Sequence, residues 1–214
     1  MNSSILKIII PSIKIRRFVK RNLILIQKVL TYNLIRQARI KQKKRIRELR
    51  KREVYKVVFF MIDHVAWKYA SVFKEMVDNQ YFDPVIFIIP FAKLDQEQMQ
   101  KTMTDAENFC VKQGYKYINS FDKNDQLFID LREAVNPDII FYTHPYPITH
   151  EKYAINNFLD VLTCWVPYSI RQESLYKDMH DQFYHNLFWR NYCESTLHLE
   201  ISKKYARNGG SNVV

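Results

Sequence analysis

Residues 57–62 read Val57-Val58-Phe59-Phe60-Met61-Ile62, a continuous apolar run. A run of this length, rich in β-branched and aromatic residues, is typical of a strand that is buried on both faces of a parallel sheet. A second run, Val85-Ile86-Phe87-Ile88-Ile89, follows Asp83-Pro84. Residues 66–77 between them carry apolar side chains at helical spacing. We therefore predict that the domain begins with a strand, a helix and a parallel strand.

The same alternation continues along the rest of the chain. Asp95 and Gln98 predict the start of a helix, and Gly114 predicts its end. The other predicted elements are a strand near 115–118, a helix over 125–135, strands at 138–142 and 161–166, a long aromatic-rich helix over 175–193, a helix over 201–207 and a strand that begins at 212–214. This order predicts an α/β fold, a Rossmann-like doubly wound parallel sheet.

The charge of the chain is unevenly distributed. The 214 residues carry a net charge of +11. Residues 1–53 contain 17 Lys and Arg but only two acidic residues, a net charge of +15, which leaves −4 for residues 54–214. We predict a basic helical arm over 1–53 and the α/β domain over 54–214, so a partner attracted by positive charge should bind the arm.

The arm has an amphipathic part and a strongly basic part. Apolar residues recur every three or four positions at Ile15, Val19, Leu23, Ile26, Leu30 and Leu34, and the candidate membrane contacts beside them are Arg16, Arg17, Lys20, Arg21 and Lys28. Such a helix suits an anionic lipid surface. Ten of residues 36–52 are Lys or Arg, which predicts a solvated helix or linker. A solvated helix without a partner is the second interpretation, and RNA binding is the weakest because aromatic side chains to stack on bases are scarce there.

The motifs of several large function classes are missing. With three glycines in the whole chain, neither a Rossmann glycine fingerprint nor a P-loop can be formed. Metal-binding Cys-x-x-Cys or His-x-x-x-His spacing and the Gly-x-Ser-x-Gly hydrolase motif are also absent. We predict no cofactor and no metal. The three widely spaced cysteines indicate reduced thiols, and no apolar run is long enough to span a bilayer, so we expect a peripheral position on the cytoplasmic face of the membrane.

Ligands of open α/β sheets bind beyond the carboxyl ends of the strands, so the loops after the predicted strands supply the candidate site. His64 and His144 are the candidate general bases, because imidazole titrates near neutral pH. The candidate substrate-binding residues are Asp63, Trp67, Tyr146, Tyr168 and Arg171. Each has an ordinary alternative: a histidine after a strand is often a local hydrogen-bonding residue, and Trp67 could simply cover the sheet. We interpret His180 and His185 as structural.

Three segments, Lys56–Tyr69, Asn136–Tyr146 and Leu162–Tyr168, resemble the N-terminal half of bacterial transferases related to CDP-glycerol glycerophosphotransferases. The resemblance implies a glycosyltransferase of the GT-B architecture, with two Rossmann-like domains, that builds teichoic-acid or capsule-like surface polymers. It also implies peripheral membrane attachment and a lipid-linked or polymeric acceptor on the N-terminal domain. The nucleotide donor would bind a C-terminal domain. Since that domain would begin near Val214, where this sequence stops, we expect an incomplete enzyme.

Within this resemblance, His64 or His144 would activate an acceptor hydroxyl and Arg171 would contact phosphate. Trp67, Tyr146 and Tyr168 would shape the site. The competing hypothesis is a non-catalytic membrane adaptor whose α/β domain binds a partner protein.

Overall fold

The computed structural model describes residues 13–122, 125–167, 169 and 175–214. The side chains of several helical residues, among them Arg16, Arg17, Lys20 and Lys28, lie outside this description. The chain divides into two compact units between Gln37 and Ala38. Among the described residues, no helix combines the length and the apolar character needed to cross a bilayer.

The elements follow one another in a mostly alternating order. The helices are α1 (Ile13–Leu49), α2 (Ala70–Val77), α3 (Gln96–Gln113), α4 (Leu131–Ala134), α5 (Tyr176–His180) and α6 (Thr196–Tyr205). The strands are β1 (Tyr55–Met61), β2 (Phe82–Ile88), β3 (Tyr117–Asn119), β4 (Phe121–Asp122), β5 (Leu127–Phe128), β6 (Ile139–Tyr142), β7 (Leu162–Trp165) and β8 (Arg190–Asn191). Single 3-10 turns occupy His64–Ala66, Glu151–Tyr153, Ile155–Phe158 and Tyr184–Asn186.

Six strands form one parallel sheet in the order β3-β2-β1-β6-β7-β8, and β4 and β5 form a separate antiparallel hairpin. Strand β1 lies at the centre, with Val58 opposite Val85 of β2 and Ile140 of β6. Without the hairpin, the order is that of the doubly wound Rossmann sheet. The predicted α/β fold is confirmed.

The core explains why the apolar runs become central strands. Val57 and Phe59 on one face of β1, and Val58 and Phe60 on the other, are all buried. Phe59 stacks on Phe141 of β6 with ring centroids 4.7 Å apart. Burial of both faces favours the continuous apolar sequence over an alternating one.

The predicted ends of α3 are confirmed. The Asp95 side chain accepts a hydrogen bond from the Gln98 backbone N–H at 2.8 Å, which satisfies one free donor of the first turn. Gly114 ends the helix with φ +67°, a left-handed conformation that glycine adopts at little cost.

The predicted helix over 125–135 is wrong over most of its length. The chain instead forms the β4–β5 hairpin, in which the Phe121 and Phe128 rings lie 5.3 Å apart, and then the short helix α4. The backbone N–H of Ile129 donates to Ser120 O at 2.7 Å and closes the hairpin. Pairing of these two aromatic residues overrides the helical spacing.

The predicted long helix over 175–193 is also wrong. After α5, the chain makes a 3-10 turn and then enters the sheet as β8, where Trp189 N–H donates to Thr163 O and Tyr192 N–H donates to Trp165 O, both at 2.9 Å. The Asn212 amide donates to the carbonyls of His185 and Phe188 at 2.8 and 2.9 Å. These tertiary hydrogen bonds hold carbonyls that a continuous helix would use internally.

Helix α6 begins at Thr196, five residues before its predicted start, and Ser195 caps it. The strand predicted to begin at 212–214 is confirmed as a short parallel bridge between Val213 and Asn191.

Residues 36–52 are predicted as a solvated helix or linker, and α1 covers them as far as Leu49, but one side of this helix is not solvated. Ala38, Gln42 and Leu49 on this part of α1 are buried. The Arg39 guanidinium donates to the carbonyls of Phe188 at 2.8 Å and Asn186 at 3.1 Å. The last turns of α1 therefore pack within the same compact unit as the sheet.

Candidate functional site

The sheet reverses its direction of growth between β1 and β6. From β1, the chain adds β2 and β3 on one side, and from β6 it adds β7 and β8 on the other. In open α/β sheets such a switch point leaves a crevice at the carboxyl ends of the two strands, where ligands bind. Asp63 and His64 follow β1, and Thr143 and His144 follow β6, so the topology brings these loops to the predicted crevice.

The loop after β1 is fixed by its first residue. Asp63 caps the 3-10 turn His64–Ala66 and accepts a hydrogen bond from Val65 N–H at 2.9 Å. Its carboxylate lies 3.6 Å from Nδ1 of His64, and the His64 ring packs 5.6 Å from the ring of Phe109. His64 is thus half-buried between an anion and an aromatic ring.

Trp67 lies in the aromatic part of the core. Its ring makes edge contacts with Phe59 and Phe73, each at 5.9 Å between centroids. The indole Nε1 is buried, and it has no hydrogen-bond partner among the described residues. These contacts fit the packing interpretation of Trp67, and contact with a ligand stays a prediction.

Lys68 is a functional candidate that the sequence analysis did not single out. Its half-buried ammonium donates to the carbonyl of Val166 beyond β7 and lies 5.3 Å from the ring centroid of Tyr69. Burial lowers the pKa of Lys68 to about 7, against the opposing effect of the Glu194 carboxylate. A lysine amine that titrates near pH 7 can exchange protons under physiological conditions.

His144 is electrostatically linked to this lysine. Burial lowers the pKa of His144, the charge of Lys68 lowers it further, and the Asp63 carboxylate acts in the opposite direction. The imidazole is therefore neutral at pH 7, the form that can accept a proton. We call Asp63, Lys68, His144 and Glu194 the carboxyl-end cluster.

A cavity of about 470 Å³ opens beside His144. Its described lining residues are Tyr142, His144, Pro145, Tyr146, Pro147, Thr149, Glu151, Tyr153, Ala154, Ile155, Asn156, Gln182, Phe183 and Tyr184. We call it the tyrosine cavity, because Tyr146 and Tyr184 meet edge to face in its wall with ring centroids 5.6 Å apart. A second cavity of about 330 Å³ shares Tyr146 and Tyr184. Volumes of this size are typical of sites for small ligands.

A larger cavity, of about 720 Å³, lies elsewhere. It borders the beginning of β2 at Phe82–Pro84 and the end of α3 at Gly114. This is the amino end of the strand, opposite to the edge where open α/β sheets bind ligands. We therefore favour the smaller tyrosine cavity as the functional one.

The structure brings some of the predicted site residues together. Asp63, His64, His144 and Tyr146 all lie in loops beyond the carboxyl ends of β1 and β6. Tyr168 and Arg171 lie outside the described residues, as do the side chains of Arg16, Arg17, Lys20 and Lys28, whereas Arg21 is exposed on α1. Their predicted roles stay predictions.

His180 and His185 lie in the domain interior. His180 Nδ1 lies 2.7 Å from the hydroxyl of Ser202, and the His185 ring stacks on Trp165 with centroids 4.5 Å apart. Both imidazoles are buried, as their structural interpretation requires.

Several residues at the site are not predicted from the sequence. One lies in the loop after β1, and the others lie on either side of β8. Lys68 lies in the loop after β1, but nothing in the sequence indicates its burial. Glu194 follows β8, and Gln182 and Tyr184 precede it, in a segment predicted as one long helix. The sequence does not predict that β8 joins the sheet. It therefore gives no signal that places these three residues at the site.

In the described part of the chain, no group of three or more His, Cys, Asp or Glu side chains could hold a metal ion. No protein-family model and no curated protein matches the sequence. Function is therefore inferred from the site itself.

Proposed function

We propose that this chain is the acceptor-side part of a membrane-associated glycosyl- or glycerophosphotransferase that builds a cell-surface polymer. The observation that carries the proposal is the carboxyl-end cluster at the switch point of a Rossmann-like sheet, next to the tyrosine cavity. A GT-B transferase would hold its acceptor in this position. In such a transferase, a separate domain would bind the nucleotide donor.

In this proposal, the chain activates an acceptor hydroxyl. The neutral imidazole of His144 can take the hydroxyl proton as the acceptor oxygen bonds to the transferred group. The bond between that group and the donor nucleotide would break in the same step, and the nucleotide would leave with the electron pair. Lys68 in its ammonium form offsets the negative charge that develops on the oxygen. Asp63 favours the imidazolium that results, because its carboxylate raises the pKa of His144. His64 is the alternative base, since it lies on the same edge.

His144→Ala is expected to reduce polymer synthesis by about 100-fold or more, the usual loss when a general base is removed. The measurement is incorporation of labelled donor into surface polymer, in cells whose own copy of the gene has been inactivated. His64→Ala is the paired test of the alternative base. Tyr81→Ala, an exposed residue before β2, is the control that should restore synthesis.

The adaptor hypothesis gives a different pattern in the same experiment. If inactivation removes the polymer but both histidine variants restore it fully, the domain acts by binding and not by catalysis. If inactivation leaves all surface polymers unchanged, the proposed function is wrong.

The membrane part of the proposal concerns the basic residues beside the apolar stripe of α1. Ile15, Phe18, Ile26 and Leu30 are exposed on this helix. Large apolar side chains flanked by basic residues are the composition of helices that lie in a lipid interface.

Replacing Arg16, Arg17, Lys20, Arg21 and Lys28 together by Gln is expected to weaken binding to anionic vesicles by at least about 100-fold, because each basic residue near such a surface contributes about 1 kcal/mol. Co-sedimentation with phosphatidylserine-containing and neutral vesicles at two salt concentrations measures this. The matched control removes five charges from the other part of α1 and its end, by replacing Lys41, Lys43, Lys44, Arg47 and Lys51 with Gln.

The control variant should keep most of its vesicle binding. Equal losses in both variants would show a diffuse charge effect without a defined surface. RNA binding that only the control variant loses would instead support the nucleic-acid interpretation of residues 36–52.

A further inference from the structure

We propose that the tyrosine cavity binds an uncharged sugar ring, and that this ring is the terminal unit of the acceptor, a role that rests on the proposed function. The proposal narrows the acceptor from any hydroxyl-bearing polymer end to a neutral pyranose. An acceptor that ends in glycerol phosphate is the excluded alternative.

The walls of the cavity suit the apolar face of a sugar. Tyr146, Phe183 and Tyr184 are half-buried, so each ring is held by packing while part of it stays open to the cavity. The edge-to-face contact of Tyr146 with Tyr184 fixes the angle between two of these walls. Rigid aromatic rings offer large contact area at low cost in conformational entropy.

Polar groups at the cavity suit sugar hydroxyls. The hydroxyl of Thr149 is buried, and the part of the chain that is described offers it no hydrogen-bond partner. A buried hydroxyl without a partner carries a desolvation cost that a ligand hydroxyl can relieve. The Glu151 carboxylate accepts hydrogen bonds, and the Gln182 amide both donates and accepts them.

The charge of the cavity disfavours phosphate. Among the described lining residues, Glu151 is the only one with a formal charge at pH 7, and that charge is negative. His144 is neutral at this pH because burial lowers its pKa. A phosphate in this cavity would therefore meet the like charge of Glu151 and no lysine or arginine among the described lining residues, whereas an uncharged ring meets hydrogen-bonding groups.

The candidate general base, His144, lies in the wall of the cavity. The His144 and Tyr146 ring centroids lie 6.5 Å apart. A ring stacked on Tyr146 would therefore present its edge hydroxyls towards the imidazole.

The test is saturation-transfer-difference NMR on the intact chain. The probes are the methyl pyranosides of glucose, galactose, mannose, N-acetylglucosamine and N-acetylmannosamine, with glycerol 3-phosphate as the anionic probe. We expect signal transfer to at least one pyranoside and none to glycerol 3-phosphate. Tyr146→Ala and Thr149→Val should each weaken pyranoside binding at least fivefold, and Tyr81→Ala should leave it unchanged.

Reversing the charge of Glu151 gives a second test of the proposal. Glu151→Lys should weaken pyranoside binding and allow glycerol 3-phosphate to bind. Absence of transfer to every pyranoside, or binding of glycerol 3-phosphate to the wild-type chain at the same site, would overturn the proposal. Neither result affects the polymer-synthesis test of His144→Ala. Pyranoside binding together with unchanged polymer in inactivated cells would overturn the proposed function and leave the sugar site standing.

Discussion

Asp138→Ala is expected to lower the free energy of unfolding of the α/β domain by about 3–5 kcal/mol, the usual effect of removing one partner from a buried ion pair. The Asp138 side chain is completely buried at the start of β6. It accepts hydrogen bonds from Arg45 Nη2 at 2.6 Å, Arg52 Nη1 at 3.0 Å and the Lys56 backbone N–H at 2.9 Å. Without the carboxylate, the Arg45 side chain, only 17% exposed, loses its 2.6 Å partner and is left with the Glu48 carboxylate at 3.6 Å.

Urea unfolding followed by circular dichroism measures this loss. The control is Asp160→Ala, which removes a carboxylate that Arg132 Nη2 binds at 2.7 Å but that is half exposed to water. Exposed ion pairs contribute about 1 kcal/mol or less, so the control should lose little stability. Equal losses in the two variants would show that burial of Asp138 does not govern its contribution.

The Asp138 contacts change the interpretation of the basic arm. Arg45 and Arg52 neutralise a buried carboxylate, and Arg39 donates to backbone carbonyls, so these three cations act within the domain. The charge sum of residues 1–53 counts them together with cations that face water. Composition therefore overstates the charge that an anionic surface can use.

The sequence predicts the central sheet well because its strands are fully apolar. β1 and β2 are buried on both faces, and two such short apolar runs separated by a helix are typical of strands inside a parallel sheet. The switch point follows from the strand order, which the sequence suggests only through the general preference for right-handed connections.

The edges of the fold could not be predicted in the same way. β8 has two residues and is defined by its hydrogen bonds to β7 and by Asn212, which comes more than twenty residues later. Such long-range contacts leave no periodic pattern in the segment itself. The aromatic residues of 175–193 fit a helix by spacing, yet tertiary pairing decides their structure.

The site was predictable where it depends on topology alone. Asp63, His64, His144 and Tyr146 follow predicted strands, and the carboxyl-end rule selects those loops. Lys68 and Glu194 depend on burial and on the placement of β8, which the sequence does not reveal. Lys68, whose pKa burial lowers to about 7, is therefore not predicted as a site residue.

Lys68 is expected to titrate near pH 7, more than three units below an ordinary lysine. The cause is burial of its amine, which disfavours the charged form. The measurement is competitive acetylation with trace anhydride over pH 6–11, read by mass spectrometry of the Lys68 peptide. The same peptide in the urea-unfolded chain is the internal control and should show the midpoint of an ordinary lysine, about 10.4.

Two further results fix the sign of this effect. Glu194→Gln removes an anion that raises the pKa of Lys68, so the midpoint should move further down. The pKa of Lys68 is lower in the folded chain than in the unfolded chain, so between about pH 7 and 10 the unfolded chain binds one more proton. The contribution of Lys68 to the free energy of unfolding should therefore rise with pH through this window. Lys68→Met should remove that rise. A Lys68 midpoint equal to that of the unfolded chain would show that the amine reaches water freely, and would remove Lys68 from the proposed acid–base chemistry.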